Sequence, residues 1–454
     1  MNTRVAVVGG GVAGLAAAHR LVERGVRDLV LLEASDRLGG SLATERRGGF
    51  MIEAGADSLL TEKPWAVDLC ERLGVPLVGT REGERRTYVV HDGRVEPLPE
   101  GFLLLAPTDL RALAASRLFS WRGKLRMALD LVLPRGTAGV DESLAHFVRR
   151  RFGREALERV AEPLVGGIYI ADAERLSLAA TMPRFRELER KHRSVILGLR
   201  GEAGASRAAG ARYSLFTAPA EGMGALVEAL ARRLPEGVVR VRTAVTGLAR
   251  DGGEWRLEAG DEPLVADAVV VATPAYAAAP LLASLDAELG RLLAGIEYAS
   301  SATVTLGYRS ADLPALGGFG FVVPAAERRP LIACTYASRK FPGRAPERHE
   351  LLRAFVGGAL RADVLARDDA ALVEMVRGEL RALVGITAAP ELSRVHRHRL
   401  AMPQYAVGHL ERVAAIEARA AALPGFALAG AAYRGVGVPD CVRGGEAAAD
   451  RVVG

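Results

Sequence analysis

The chemistry of this chain is concentrated in a glycine turn, Gly9, Gly10, Gly11, Val12, Ala13 and Gly14, followed by an acid at Glu33. Gly9 permits a tight turn, Gly11 lets backbone approach a pyrophosphate, and Gly14 lets a helix sit close to a sheet. Free N–H groups and the dipole at a helix N-terminus stabilise pyrophosphate charge. Glu33 can accept the hydroxyl hydrogens of an adenosine ribose. The pattern predicts a dinucleotide site.

Such a site needs a particular scaffold, and the flanking residues supply it. Residues 5–8 are an apolar run that reads as a buried parallel strand. Residues 15–22 read as the helix that the glycines open, and residues 29–32 as the second strand, which delivers Glu33. Strand, glycine turn, helix, strand and acid make up the βαβ context that gives the motif its meaning.

Composition bounds the rest. A chain of 454 residues is expected to hold two or three domains. Half of its residues are hydrophobic, yet no apolar stretch reaches membrane-span length, and Pro274 and Pro280 interrupt the most apolar region. The first strand begins within a few residues of Met1, so no signal peptide is expected. Cys70, Cys334 and Cys441 are isolated and lack metal-ligand spacing, which fits a reducing cytoplasm and no metal site. The net charge is +6, and only Lys63, Lys124, Lys191 and Lys340 among the basic residues are lysines. That balance suits an anionic membrane surface or a polycarboxylate substrate, or reflects codon bias alone. Scarce aromatics and the lack of a recognition motif argue against nucleic acid.

The segment after the acid carries Ala34, Arg37, Gly39, Gly40 and Ser41, where a dehydrogenase would usually start another helix. The pair Gly39-Gly40 allows backbone to approach an extended ligand. Gly55, Ala56, Asp57 and Ser58 then form a second turn, ahead of a short helix over 64–73. At the far end, residues 426–430 read as a strand leading into Val436, Gly437 and Val438, with a helix from about residue 445 to 453. A helix N-terminus there can meet a second polar part of the ligand. Residues 238–245 and 254–258 read as a hairpin, and residues 267–274 as another buried strand. With these segments the N-terminal half resembles FAD-dependent oxidases of the amine-oxidase and porphyrinogen-oxidase group. The resemblance implies FAD as cofactor, the two glycine turns beside it, and the backbone of Val245 over its adenine side.

Four further stretches narrow the resemblance: residues 162–172 with 176–183, residues 192–198, residues 402–409 and residues 435–441. Spread in order over nearly the whole chain, they resemble the protoporphyrinogen oxidases. The implied activity is the six-electron oxidation of protoporphyrinogen IX to protoporphyrin IX, in three two-electron cycles through FAD with molecular oxygen as acceptor. Such chemistry needs an apolar slot and no strong protein base, so no catalytic residue is assigned. By the match, Gly167 and Ile168 line one side of the slot while Val322 and Phe355 sandwich the ring; ordinary strand core also explains the last two. The family's propionate-binding arginine aligns with Thr87, so Arg86 serves only if its strand slips by one residue, which would reverse its face. Coproporphyrinogen III is the rival substrate. A flavin amine oxidase is more remote, because the strand over 300–308 has no lysine. A non-catalytic flavin-binding scaffold is the reading from another class.

Residues 108–133 read as a helical stretch capped by Thr108 or Asp109, with Leu110, Leu113, Leu118, Phe119, Trp121, Leu125, Leu129 and Val132 interleaved with basic residues. It would lie on an anionic bilayer, or pack as a helical subdomain with basic outer faces. A peripheral position would let a hydrophobic product pass through lipid to ferrochelatase; a homodimer is a further expectation from the resemblance. The fold class expected is α/β. It combines a split Rossmann-like FAD-binding domain (1–60, 215–275 and 405–454), a mixed-sheet substrate domain (61–88 and 276–404) and a helical membrane-associating domain (89–214).

Overall fold

The computed structural model describes residues 3–81, 86–103, 105–136, 139–208, 215–260 and 263–454. Three distant parts of the chain build one parallel sheet. Its strands run in the order Val239–Arg240, Asp28–Leu32, Arg4–Val8, Ala268–Val271 and Phe426–Leu428. Each neighbouring pair is parallel. Side chains alternate across such strands. Val5, Val7, Leu31 and Val270 therefore join one core with the helices Val12–Glu23 and Val438–Val453. Ala6, Val8, Val269 and Val271 join another, which includes Trp255, Leu257 and Ile416.

The two helices come from opposite ends of the chain and touch backbone to backbone. A Cβ on Gly445 would lie 2.1 Å from the Ala13 carbonyl oxygen. Within the first turn, a Cβ on Gly14 would lie 1.8 Å from the Gly9 carbonyl oxygen. The C-terminal helix starts at Val438 rather than near residue 445. Gly444 and Gly445 lower its intrinsic propensity, but the close approach that Gly445 permits outweighs that loss.

The expected hairpin over 238–258 is divided. Val239–Arg240 joins the edge of the parallel sheet, and Val245–Asp251 pairs with Glu254–Ala259. Between them Arg242 has φ of 53°, which no continuous strand tolerates.

A second, seven-stranded sheet is mixed. Its order is Leu392–Pro403, Tyr298–Arg309, His349–Gly357, Leu331–Tyr336, Gly320–Val322, Tyr88–His91 and Arg94–Pro97. The hairpin over 88–97 thus lies in this sheet, although the sequence reading placed residues from 89 onward with the helices. Ala302, Val304, Leu306, Leu352, Ala354 and Val356 form one face, packed on Leu372, Val376 and Leu380 of the helix Asp369–Val384. The opposite face carries Thr303, Arg353 and Phe355, and it points toward the dinucleotide half.

Much of the segment from Leu110 to Ala208 is helical, with a core around Phe147, Phe152, Val160 and Ile196. The single helical stretch expected over 108–133 is broken into Leu110–Ala115, Trp121–Ala128 and a 3-10 turn at Leu129–Leu131. Asp109 caps the first by accepting from the N–H groups of Arg111 and Ala112. Ser120 starts the second by accepting from Gly123 N–H, and Glu155 anchors Ser120 in turn. No described helix is long and apolar enough to cross a membrane.

Candidate active site

The glycine turn has the geometry its spacing predicts. Gly9 has φ of 106°, which favours glycine. Gly11 has ordinary φ of −69° and caps the Val12–Glu23 helix; nothing lies within 4 Å of a Cβ placed on it. Open space in front of Gly11 is what an approaching pyrophosphate requires. Glu33 stands beside this space, where Oε2 accepts from Gly10 N–H at 2.6 Å and Oε1 from Ser35 N–H at 2.8 Å.

The following loop closes onto the turn. Gly39 N–H donates to the Gly10 carbonyl at 2.8 Å, and Gly39 bridges Gly11. Gly40, with φ of 59°, brings its Cβ position 3.4 Å from the Gly11 Cα. Arg37 holds the loop from outside, donating to the carbonyls of Leu38, Gly40 and Leu42. Exposed Ala34 flanks Glu33, and Val245 follows a segment whose Arg242 and Thr243 N–H groups donate to the Ser35 and Glu33 carbonyls. A Cβ on Gly55 would lie 2.0 Å from the Ser41 carbonyl oxygen, so the second glycine turn is packed directly on the first loop.

That second turn is gripped by the mixed sheet. The Ala54 carbonyl accepts from Arg353 Nη2 at 2.9 Å, His398 Nε2 at 2.8 Å and Thr303 Oγ1 at 3.3 Å. Arg353 also donates to the Gly55 carbonyl. Past Ala56, Asp57 meets Lys340 at 3.0 Å and Arg353 at 3.9 Å, and Ser58 donates to Asp57 at 2.7 Å. Burial pushes the Asp57 carboxyl up, but Lys340 and Arg353 outweigh it and hold the group well below the usual carboxylate range. Burial holds His398 below the usual histidine range, with Arg353 adding to the effect, so it donates from the neutral ring.

At the C-terminus, Gly437 caps the Val438–Val453 helix, which packs along Val12–Glu23 with Gly445 against Ala13. Val436 packs on the helical core. Tyr405 fixes the approach: its hydroxyl donates to the Ala431 carbonyl at 2.6 Å and accepts from Gly435 N–H at 2.8 Å. Its ring stacks on His409 at 3.8 Å. Burial pushes the thiols of Cys70, Cys334 and Cys441 up to about 12, so they are protonated and unreactive at neutral pH.

The expected substrate residues are only partly brought together. Thr303, Phe355, Ala333, Val322 and Val89 stand opposite one another in a single row across five strands. Val322, Val89 and Ala333 pack with Phe355 and Leu164. Gly167, in the helix Glu162–Tyr169, faces this row, with its Cβ position 3.8 Å from Val322. Ile168 is half exposed. Arg86 is exposed and pairs with Glu100 at 3.7 Å, so the structure does not bring it to the row. By the alternation of Tyr88–His91, Thr87 falls on the face of Val89 and Arg86 on the other.

Arg353, His398, Thr303 and Tyr405 went unremarked in the sequence reading. A charge at 353 between the apolar Leu352 and Ala354, two residues from Phe355 and so on its face, was the one available signal.

A parallel strand, the Gly9–Gly14 turn opening the Val12–Glu23 helix, and Glu33 at the end of the next strand form the arrangement of a dinucleotide-binding fold. The profile of the family described as flavin containing amine oxidoreductase matches residues 12–453. The chain belongs to that family, and its cofactor is FAD. It is 36% identical to coproporphyrinogen III oxidase of Bacillus subtilis (strain 168), over 98% of this chain and 96% of that protein. To protoporphyrinogen oxidase of Bos taurus it is 31% identical, over 100% and 99%. A crystal structure from Exiguobacterium sp. 255-15, named provisionally as a protoporphyrinogen oxidase, superposes with TM-score 0.89 at 32% identity, covering 100% of this chain and 99% of that one. These relatives place the chain among the porphyrinogen oxidases of heme biosynthesis.

Gly11 separates folding from ligand binding. Gly11→Val loses less than about 1 kcal/mol at this helix cap and its Cβ meets no neighbour, but its side chain is expected to enter the space that a pyrophosphate would take. The variant is expected to keep the wild-type thermal transition of the flavin-free protein while purifying with little bound flavin, as read by visible absorbance.

Proposed function

We propose that this protein oxidises a porphyrinogen to the porphyrin, removing six electrons in three two-electron steps with oxygen as final acceptor and peroxide as product. The row from Thr303 to Val89 carries the reading. It starts at the turn gripped through Ala54 and ends opposite Gly167. An apolar wall, packed on the helix that carries Gly167, thereby adjoins the gripped turn, and it is this wall that favours an apolar substrate.

FAD supplies the hydride acceptor. Glu33 binds the ribose, and the N-termini at Gly11 and Gly437 take the pyrophosphate and the far polar end. Arg353, His398 and Thr303 hold the 54–58 turn in place. Val322 and Phe355 keep water from the reacting ring. Residues 1–60, 215–275 and 405–454 serve the cofactor. Residues 61–88 and 276–404 serve the substrate, joined by the rest of the hairpin that ends at residue 97. The helical remainder walls the slot through Gly167.

Protoporphyrinogen IX is the substrate of the first reading. Coproporphyrinogen III is a second, supported by the names of relatives from Bacillus subtilis and Propionibacterium freudenreichii, each 36% identical. The helical part also presents an apolar strip to solvent: Trp121 is 70% exposed, Leu125 66%, Leu129 47% and Val132 64%. Arg122 lies beside it, and Lys124 stacks on Trp121 at 4.6 Å. This strip is read as a dock on an anionic bilayer, which would place the protein on the inner face of the cell membrane.

Side-by-side turnover of the two porphyrinogens decides the substrate. A higher kcat/KM for protoporphyrinogen IX supports the first reading, and faster coproporphyrinogen III oxidation replaces it with the second. On the membrane, the wild type is expected to co-sediment with anionic liposomes at low salt while Trp121→Ser combined with Leu125→Ser stays in solution; a wild type that never sediments removes the docking role.

A further inference from the structure

Behind the turn at 54–58 lies a small cavity whose wall includes Glu53, Asp57, Thr305, Phe341, Arg344 and Arg353. Thr305 and Arg353 stand opposite each other on paired strands, so their side chains share one face of the sheet. Both are buried, with Thr305 1% exposed and Arg353 4%. The cavity measures about 10 Å³. A water needs roughly 10–15 Å³ of such space, so there is room for one and no more.

Most polar atoms around this cavity are already engaged. Glu53 Oε1 accepts from Met223 N–H at 2.9 Å, and Oε2 accepts from Thr44 Oγ1 at 2.8 Å. Arg344 donates to the Ala220 carbonyl at 3.2 Å and to the Pro219 carbonyl at 3.1 Å. Asp57 Oδ1 accepts from Lys340 at 3.0 Å and from Ser58 at 2.7 Å. Arg353 Nη2 donates to the Ala54 and Gly55 carbonyls. Other atoms are not engaged. Arg353 Nε and Thr305 Oγ1 are buried and have no hydrogen-bond partner among the described residues. Asp57 Oδ2 accepts no hydrogen bond from them either, and Arg353 Nη1 stands 3.9 Å from it, beyond hydrogen-bond reach. Buried polar groups left unpaired are destabilising, and proteins satisfy them with ordered water where two to four partners surround a polar cavity. Opposite charges held just past contact distance are bridged in the same way.

We propose that one ordered water belongs to the joint between the mixed sheet and the turn at 54–58. It accepts from Arg353 Nε–H and from the Thr305 hydroxyl, and it donates to Asp57 Oδ2. The partners select a neutral molecule that both accepts and donates: Arg353 and Arg344 repel a cation, and Asp57 and Glu53 repel an anion. Arg353 holds the turn directly through two backbone carbonyls, and the water adds a second attachment from the same guanidinium to the Asp57 side chain. Thr305 thereby becomes a positioning residue that acts through this water. Gly55 packs on Ser41, in the loop that closes onto Gly11, so loosening the turn is felt at the cofactor. That consequence rests on the dinucleotide site and is independent of which porphyrinogen is oxidised.

The test is a crystal structure of the FAD-loaded protein at a resolution that shows ordered water, with Thr305→Val and Thr305→Ser beside the wild type. The wild-type map should hold a single peak within about 3.2 Å of Arg353 Nε, Thr305 Oγ1 and Asp57 Oδ2. Thr305→Val keeps the side-chain shape without the hydroxyl and should lose the peak, whereas Thr305→Ser should keep it. In solution Thr305→Val should bind FAD roughly fivefold more weakly, the loss of about one hydrogen bond, and Thr305→Ser as the wild type does. A wild-type map with no peak there, or with one out of reach of Arg353 Nε, overturns the water, even if neither variant folds. A peak unchanged in Thr305→Val, or an FAD affinity that this variant leaves unaltered, overturns the role of Thr305. A wild type that takes up no FAD fails the cofactor reading instead, and the map of the flavin-free protein still decides the water.

Discussion

Everything in this molecule depends on two backbones approaching closer than any side chain allows. Gly14 lies against Gly9 within the first turn, and Gly445 lies against Ala13 between helices from opposite ends of the chain. These contacts pack the helices Val12–Glu23 and Val438–Val453 side by side. Each N-terminal end contributes roughly 0.3–1 kcal/mol to a nearby anion, and up to about 2 when partly buried. In the proposed site both ends act on one extended ligand, a gain of up to roughly a thousandfold in affinity. A ligand with charge or polarity at both ends collects that gain, and FAD is such a ligand.

The joint between the cofactor half and the substrate sheet is polar. Arg353 is only 4% exposed, and removing a guanidinium from water costs several kcal/mol. Hydrogen bonds to the Ala54 and Gly55 carbonyls and the nearby Asp57 charge offset this. What the arrangement provides is position. Strand alternation puts Arg353 and Phe355 on one face, so the group that grips the turn at 54–58 and the Phe355 ring are carried by one strand. The row from Thr303 to Val322 continues the same wall across the sheet to the glycines of the helix at 162–169.

Local chemistry was legible in the sequence, and long-range register was not. The turn at 9–14, Glu33, Gly39, Gly40 and the turn at 55–58 could be read because glycine at fixed spacing has a direct steric meaning. The start of the C-terminal helix was missed because Gly444 and Gly445 look like breakers until Ala13 is seen beside them. The division of residues 238–258 turned on one positive φ at Arg242, which composition does not announce. The gap at Thr87 was visible, but its consequence was not: only the pairing of Val89 with Val322 shows which face Arg86 occupies. Arg353, His398 and Thr303 converge on one carbonyl from three strands, an arrangement that no window along the chain contains.

The most direct test of the account is the visible spectrum of the purified protein, followed through anaerobic addition of protoporphyrinogen IX or coproporphyrinogen III. The account predicts oxidised-flavin bands on purification, bleaching with one of these porphyrinogens, and recovery when oxygen is admitted. A protein that cannot be loaded with flavin, or a bound flavin that neither porphyrinogen reduces, would contradict it.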